Sequence, residues 1–147
     1  MMRTSLRAIA ASACVLAFSA PLPAFAADRT VALTLDGRPV DRNGGSAVLH
    51  GGVVYGDVVN LVKSFNGLLT FQGDAVVVSI GNRTARFTVG SRTMKLDGVA
   101  VTMRGATFKR GGDIMVPLDA FVTRLAGAKL KVDAAQTHAD IAVNANP

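Results

Sequence analysis

The second half of this chain repeats its first half at a displacement of 60 residues. The run Gly51-Gly52-Val53-Val54-Tyr55-Gly56-Asp57 aligns with Gly111-Gly112-Asp113-Ile114-Met115-Val116-Pro117, and a helix-like stretch follows each. Apolar residues coincide in register: Val58 with Leu118, Leu61 with Phe121, Val62 with Val122, and Phe65 with Leu125. Both stretches then stop at a glycine, Gly67 and Gly127. A repeat of this length points to a duplicated structural unit and assigns most of the apolar pattern to packing. Few residues are left over for chemistry.

Each half reads as strands, one helix, then strands. Val31, Leu33 and Leu35 alternate with polar or small residues, and Asp36-Gly37 is a hairpin signal that Asp97-Gly98 repeats. The helices are expected from about Asp57 to Asn66 and from Pro117 to Ala126, with apolar residues on one narrow face. Asp57 suits an N-cap, Pro117 a first helical position, and Gly67 and Gly127 the left-handed residue past the end. Closing hairpins follow, Leu68 to Ile80 and Lys129 to Val143, the second with the longer turn, Asp133 to His138. Thr84 to Val89 alternates as a half-buried strand between the halves.

The first 26 residues read as an export signal. Arg3 and Arg7 form a basic start, and Ala8 to Ala20 is apolar but shorter than the roughly 20 residues a bilayer span needs. Pro21 and Pro23 break any helix, and Ala24-Phe25-Ala26 offers a small-x-small cleavage pattern. A rival reading takes Cys14 as a lipoprotein cysteine, although Ala11-Ser12-Ala13 lacks the usual leucine. Cleavage after Ala26 takes 26 residues from 147 and leaves 121, and losing Arg3 and Arg7 lowers the net charge from +6 to +4. That length suits a single mature domain made of two repeats, about 30–82 and 83–143. Cys14 is the only cysteine, so the exported domain, periplasmic or extracellular, has no disulfide and must be held together by its core. No second apolar run is long enough for a transmembrane helix.

The segment Met115-Val116-Pro117-Leu118, followed by Leu125-Ala126-Gly127-Ala128-Lys129-Leu130 and Asp133, resembles the bacterial copper amine oxidase N-terminal-like (stalk) domain. The resemblance spans roughly Val31 to Val143 as two copies, and the first copy departs from it at Val54-Tyr55-Gly56-Asp57. It implies an antiparallel sheet curled around a helix, in a domain that is mostly exported, often attached to envelope proteins, and carries no catalytic residues. With the repeat, the expected fold class is α+β: a duplicated unit of antiparallel β-strands curled around one short helix per repeat.

Copper amine oxidase chemistry itself is excluded by residue count. It needs a tyrosine in an Asn-Tyr-Asp/Glu context and three histidine ligands; here the only tyrosine is Tyr55, between Val54 and Gly56, and the only histidines are His50 and His138. His138 and Asp140 share a strand face and with Asp133 or Asp113 could seed a metal site, but an exposed hairpin flank is the favoured reading of them. His50 reads as a strand-end residue. The chain has no glutamate, and none of Ser46, Ser64, Ser79 and Ser91 sits in a nucleophile elbow. Asp36 with Asp41 and Asp113 with Asp119 imitate carboxylate dyads, yet Asp36 belongs to a turn and Asp119 to a first helical turn. The double glycines lack phosphate-loop spacing. The expectation is therefore a non-catalytic domain with no cofactor and no metal.

Positive charge is the feature left for function. Arg38 and Arg42 lie in one hairpin region, and Arg83, Arg86, Arg92, Lys95, Arg104, Lys109 and Arg110 crowd the centre of the chain. An exported protein with no tryptophan and one tyrosine offers nucleic-acid bases little to stack on. Anionic envelope polymers, or another envelope protein, are the better partners by charge; the same residues also suit a merely basic, soluble surface. Two other classes stay open. One is an inhibitor of an envelope-acting hydrolase or protease, plugging an active site with a hairpin such as Leu35 to Val40. The other is a small metal-dependent enzyme built on His138.

Overall fold

A computed structural model describes residues 28–40 and 47–143. The export signal, Cys14, Asp41, Arg42, Ser46 and the tail 144–147 lie outside the described residues.

The strands are β1 (Arg29–Leu35), β2 (Arg38–Pro39), β3 (Ala47–His50), β4 (Val53–Asp57), β5 (Leu68–Gln72), β6 (Ala75–Ile80) and β7 (Arg83–Thr88). They continue with β8 (Thr93–Leu96), β9 (Val99–Thr102), β10 (Phe108–Arg110), β11 (Asp113–Pro117), β12 (Lys129–Val132) and β13 (His138–Ala142). Helix α1 (Val58–Ser64) follows β4, and a π-helical turn, Ala120–Leu125, follows β11. One sheet runs β10-β11-β4-β3-β1-β13-β12, with β2 on β1; the other runs β5-β6-β7-β8-β9.

The α+β expectation is corrected by this arrangement. The chain is predominantly β, and neither half curls around a helix of its own. Strands β8 and β9 join β5 to β7 in the five-stranded sheet, while β10 to β13 join β1 to β4 in the other. Two pairings cause the exchange. Strand β11 pairs antiparallel with β4, setting Met115 opposite Asp57 and Pro117 opposite Tyr55. Strand β13 adds parallel to β1, with Leu33 opposite Ala139 and Leu35 opposite Ile141, so the sheet is also not purely antiparallel. In the other sheet β7 lies between β6 and β8 and satisfies the backbone of both. Its inward residues Ala85 and Phe87 are fully buried.

The helical segments also differ from expectation. Asp57 does cap α1, accepting from the Val59 N–H at 3.1 Å. At the other end it is Asn66 that takes the left-handed conformation (φ 56°), whereas Gly67 does not. Gly67 is required for space: a Cβ there would lie 2.7 Å from the Ser79 carbonyl oxygen and 3.0 Å from Ile80 Cγ1. Pro117 is no helix start; it closes β11. The following turn is π-helical, with the Ala126 N–H bonded to the Phe121 carbonyl five residues back at 2.9 Å.

One apolar core joins both sheets. Val31, Leu33 and Ile141 enter it from the larger sheet, Val78, Phe87 and Met94 from the smaller, and Leu61, Phe121 and Leu125 from the helical segments. A second small cluster, Val48, Tyr55 and Met115 with Val53 and Phe108, packs apart from it. By strand alternation these residues lie on the opposite face of the larger sheet from Ala47, Val54 and Val116. No helix among the described residues is long and apolar enough to cross a membrane.

Candidate functional site

Strand alternation builds the first candidate surface. With Ala85, Phe87, Met94 and Leu96 turned into the core, the outer face of the five-stranded sheet receives Thr84, Arg86, Thr93 and Lys95. The register places Val77, Arg86, Lys95 and Ala100 in one row across four strands. Arg86 and Lys95 are thus direct cross-strand neighbours of like charge, an arrangement that disfavours the sheet unless an acceptor or anion offsets it. Gln72 supplies one acceptor, its Oε1 lying 2.6 Å from an Arg86 terminal nitrogen. Thr70, Thr84, Thr93 and Thr102 surround the pair with short polar side chains.

The other basic residues do not gather around that row. Arg83 lies at the end of β7, where its Nε meets Asp97 at 3.3 Å and a terminal nitrogen donates to the Arg124 carbonyl at 2.9 Å. The Thr84 backbone N–H, assisted by Arg83, holds the Asp97 carboxyl below its ordinary range. Arg92 reaches the Met103 carbonyl. Arg104 pairs with Asp119 through Nε at 3.3 Å. Lys109 and Arg110 sit on edge strand β10, and Arg110 is held by Asp28 at 2.8 Å. The seven residues therefore face several directions, and Arg86 with Lys95 is the pair the sheet brings together.

His50 does end its strand, but in a specific setting. Its Nδ1 lies 2.7 Å from Asp28, whose other oxygen holds Arg110. The imidazole packs 4.4 Å from Phe108 and 5.7 Å from Tyr55, ring centre to ring centre. Tyr55 is buried and donates from its hydroxyl to the Ala106 carbonyl at 2.9 Å. Burial pushes the phenol above its ordinary value; Arg92 opposes the shift and Asp119 adds to it. Gly105 passes so close to this hydroxyl that no Cβ fits there.

His138 and Asp140 do share a face of β13. Thr34 lies between them, 3.0 Å from His138 Nε2 and donating to Asp140 at 2.5 Å. The Gly37 N–H also donates to Asp140, at 3.2 Å, which fastens the Leu35–Val40 hairpin to the sheet. Among the described residues no group of three or more His, Cys, Asp or Glu side chains is placed to hold a metal ion. In the neighbouring turn Asp133 is pulled down to about 2, first by the Thr137 hydroxyl and then by the His138 backbone N–H.

A second surface was not singled out by the sequence. Two depressions, of about 300 and 240 Å³, meet over the π-helical turn and share Arg104, Asp119 and Thr123. Val53, Leu130 and Val132 give the larger one an apolar floor, and Gln136 reaches it from the β12–β13 turn. The smaller one ends at Arg124. The signal available in sequence was the longer turn, Asp133 to His138, which carries Gln136.

Fold and surfaces together define a class: a small β-rich domain that presents basic and mixed polar–apolar faces. The family model "Copper amine oxidase N-terminal domain" matches residues 34–141, most of the chain, and the chain belongs to that family. That domain is the non-catalytic N-terminal part of copper amine oxidases. No curated protein and no solved structure matches the chain.

Proposed function

We propose that this domain is a non-catalytic binding module of the bacterial cell envelope, exported and retained there by charge attraction to anionic polymers. The observation that carries the reading is the Arg86–Lys95 pair, two like charges set opposite each other on adjacent strands of an open sheet face. An anionic group lying across both would replace repulsion with attraction. The threonines around the pair leave it accessible, since none is long enough to cover a guanidinium. The basic start and small-x-small pattern of residues 1–26 support export. Family membership supports a non-catalytic module.

The test is co-sedimentation of purified mature protein with isolated envelope. The expected outcome is binding at low ionic strength and release as salt shortens the Debye length to about 8 Å at physiological strength and about 3 Å at 1 M. Absence of the protein from the pellet even at low salt defeats the proposal.

A further inference from the structure

The two depressions over the π-helical turn are assembled from elements in which the halves of the chain differ. The first half has an ordinary α-helix where the second has the π turn, and its closing hairpin is too short to supply a counterpart to Gln136. Arg104 lies between the depressions with its side chain 79% exposed, held to Asp119 through Nε alone. Its two terminal nitrogens have no hydrogen-bond partner among the described residues. Such a guanidinium presents a planar fork that matches a carboxylate. Asp119, its partner in the groove, accepts from the Ala120 N–H on one oxygen and faces Arg104 with the other. Thr123 spends its hydroxyl proton on the Asp119 carbonyl and keeps its oxygen as an acceptor.

We infer that this groove binds a short peptide that ends in a free carboxylate after a small aliphatic residue. Charge selects the acid, because Arg104 and Arg124 outweigh Asp119 by one positive charge. Alternating groups select a peptide backbone: Asp119 and Thr123 accept from amide N–H groups, and Gln136 can both donate and accept. The floor of Val53, Leu130 and Val132 suits methyl-sized side chains, and about 300 Å³ lies at the small end of ligand pockets, which run from about 300 to 1,000 Å³. A sugar or a nucleobase would call for an aromatic platform, and no aromatic side chain lines either depression. The inference does not rest on the envelope reading, which concerns a different face.

The probe is N-acetyl-dialanine, as the free acid and as the C-terminal amide, titrated into the full mature domain and followed by backbone amide NMR. The acid is expected to shift Val53, Thr123, Leu130 and Gln136 together. The amide, and the acid with Arg104→Gln, should bind about tenfold more weakly or not at all, because each loses the charged fork. Arg104→Lys keeps the charge without the fork and should fall between. Lys95→Glu should leave the affinity unchanged, which separates this site from the basic sheet face. The L,L and D,D probes distinguish protein chain ends from wall-type peptides, and preference for either supports the site. Equal binding of acid and amide, unchanged binding in the Arg104→Gln protein, or no shifts at these residues with either enantiomer at about 10 mM probe overturns it.

Discussion

Replacing Phe121 by alanine should cost this domain more than any loss of exposed apolar surface. Phe121 is fully buried where the π-helical turn meets the rest of the core. Its ring is 5.9 Å from Phe65 beyond α1 and 6.3 Å from Phe87 on β7, stacked on the latter at 18°. One side chain thus joins both helical segments to the five-stranded sheet. A buried phenylalanine removes about 150–250 Å² from water, worth about 4–6 kcal/mol at about 25 cal/mol per Å². Alanine recovers part of that and leaves a cavity, so the expected loss is about 3–5 kcal/mol. This is a large share of the roughly 5–15 kcal/mol of a typical domain. With a urea slope of about 2 kcal/mol per molar, the unfolding midpoint should fall by about 2 M. Phe71→Ala is the control, since Phe71 is 58% exposed on edge strand β5. Equal shifts for the two variants would refute the single core that spans both sheets.

Three further outcomes are expected. Because folding depresses the Asp133 carboxyl to about 2 from an unfolded value near 4, its stabilising contribution is complete above about pH 4 and lost as pH falls through about 2. NMR titration of the Asp133 side chain should show that low midpoint, and Thr137→Val should raise it. Tyr55, the only tyrosine, should ionise above 10.0, as read by tyrosinate absorbance. Its raised folded value means that stability is held below about pH 10 and declines as pH rises beyond it. Gly67→Ala should destabilise by about 1–3 kcal/mol in thermal unfolding, because the new Cβ meets the Ser79 backbone carbonyl and no flexible side chain can yield.

Local features were legible in the sequence, because they depend on adjacent residues. Asp36-Gly37 and Asp97-Gly98 form turns with positive φ at both positions, as that dipeptide favours in two-residue hairpins. The alternation of Ala85 and Phe87 located a half-buried strand, and Asp57 its helix cap. What failed was the partnering of strands far apart in the chain. Nothing in the pattern of β11 states that it pairs with β4, and nothing in β13 states that it runs parallel to β1. Those choices follow from how the whole core closes, and they turned two expected like units into two sheets that each take strands from both halves. Gly67 shows the same limit at one residue: its position past the helix suggested a left-handed turn, whereas a neighbouring strand excludes its side chain. For the candidate sites, the basic residues were visible as composition, but only the register could show that Arg86 and Lys95 stand opposite each other. The groove at Arg104 needed the π turn and the Gln136 hairpin to meet in space.

The central claim, that the basic sheet face exists to meet an anion, is tested most directly by Lys95→Glu. This substitution turns a repulsive cross-strand pair into an attractive one, so the isolated domain should be unchanged or more stable by up to about 1 kcal/mol. Envelope co-sedimentation of the same protein at low salt should nevertheless fall sharply. A variant that is more stable and still sediments like the wild type would contradict the account.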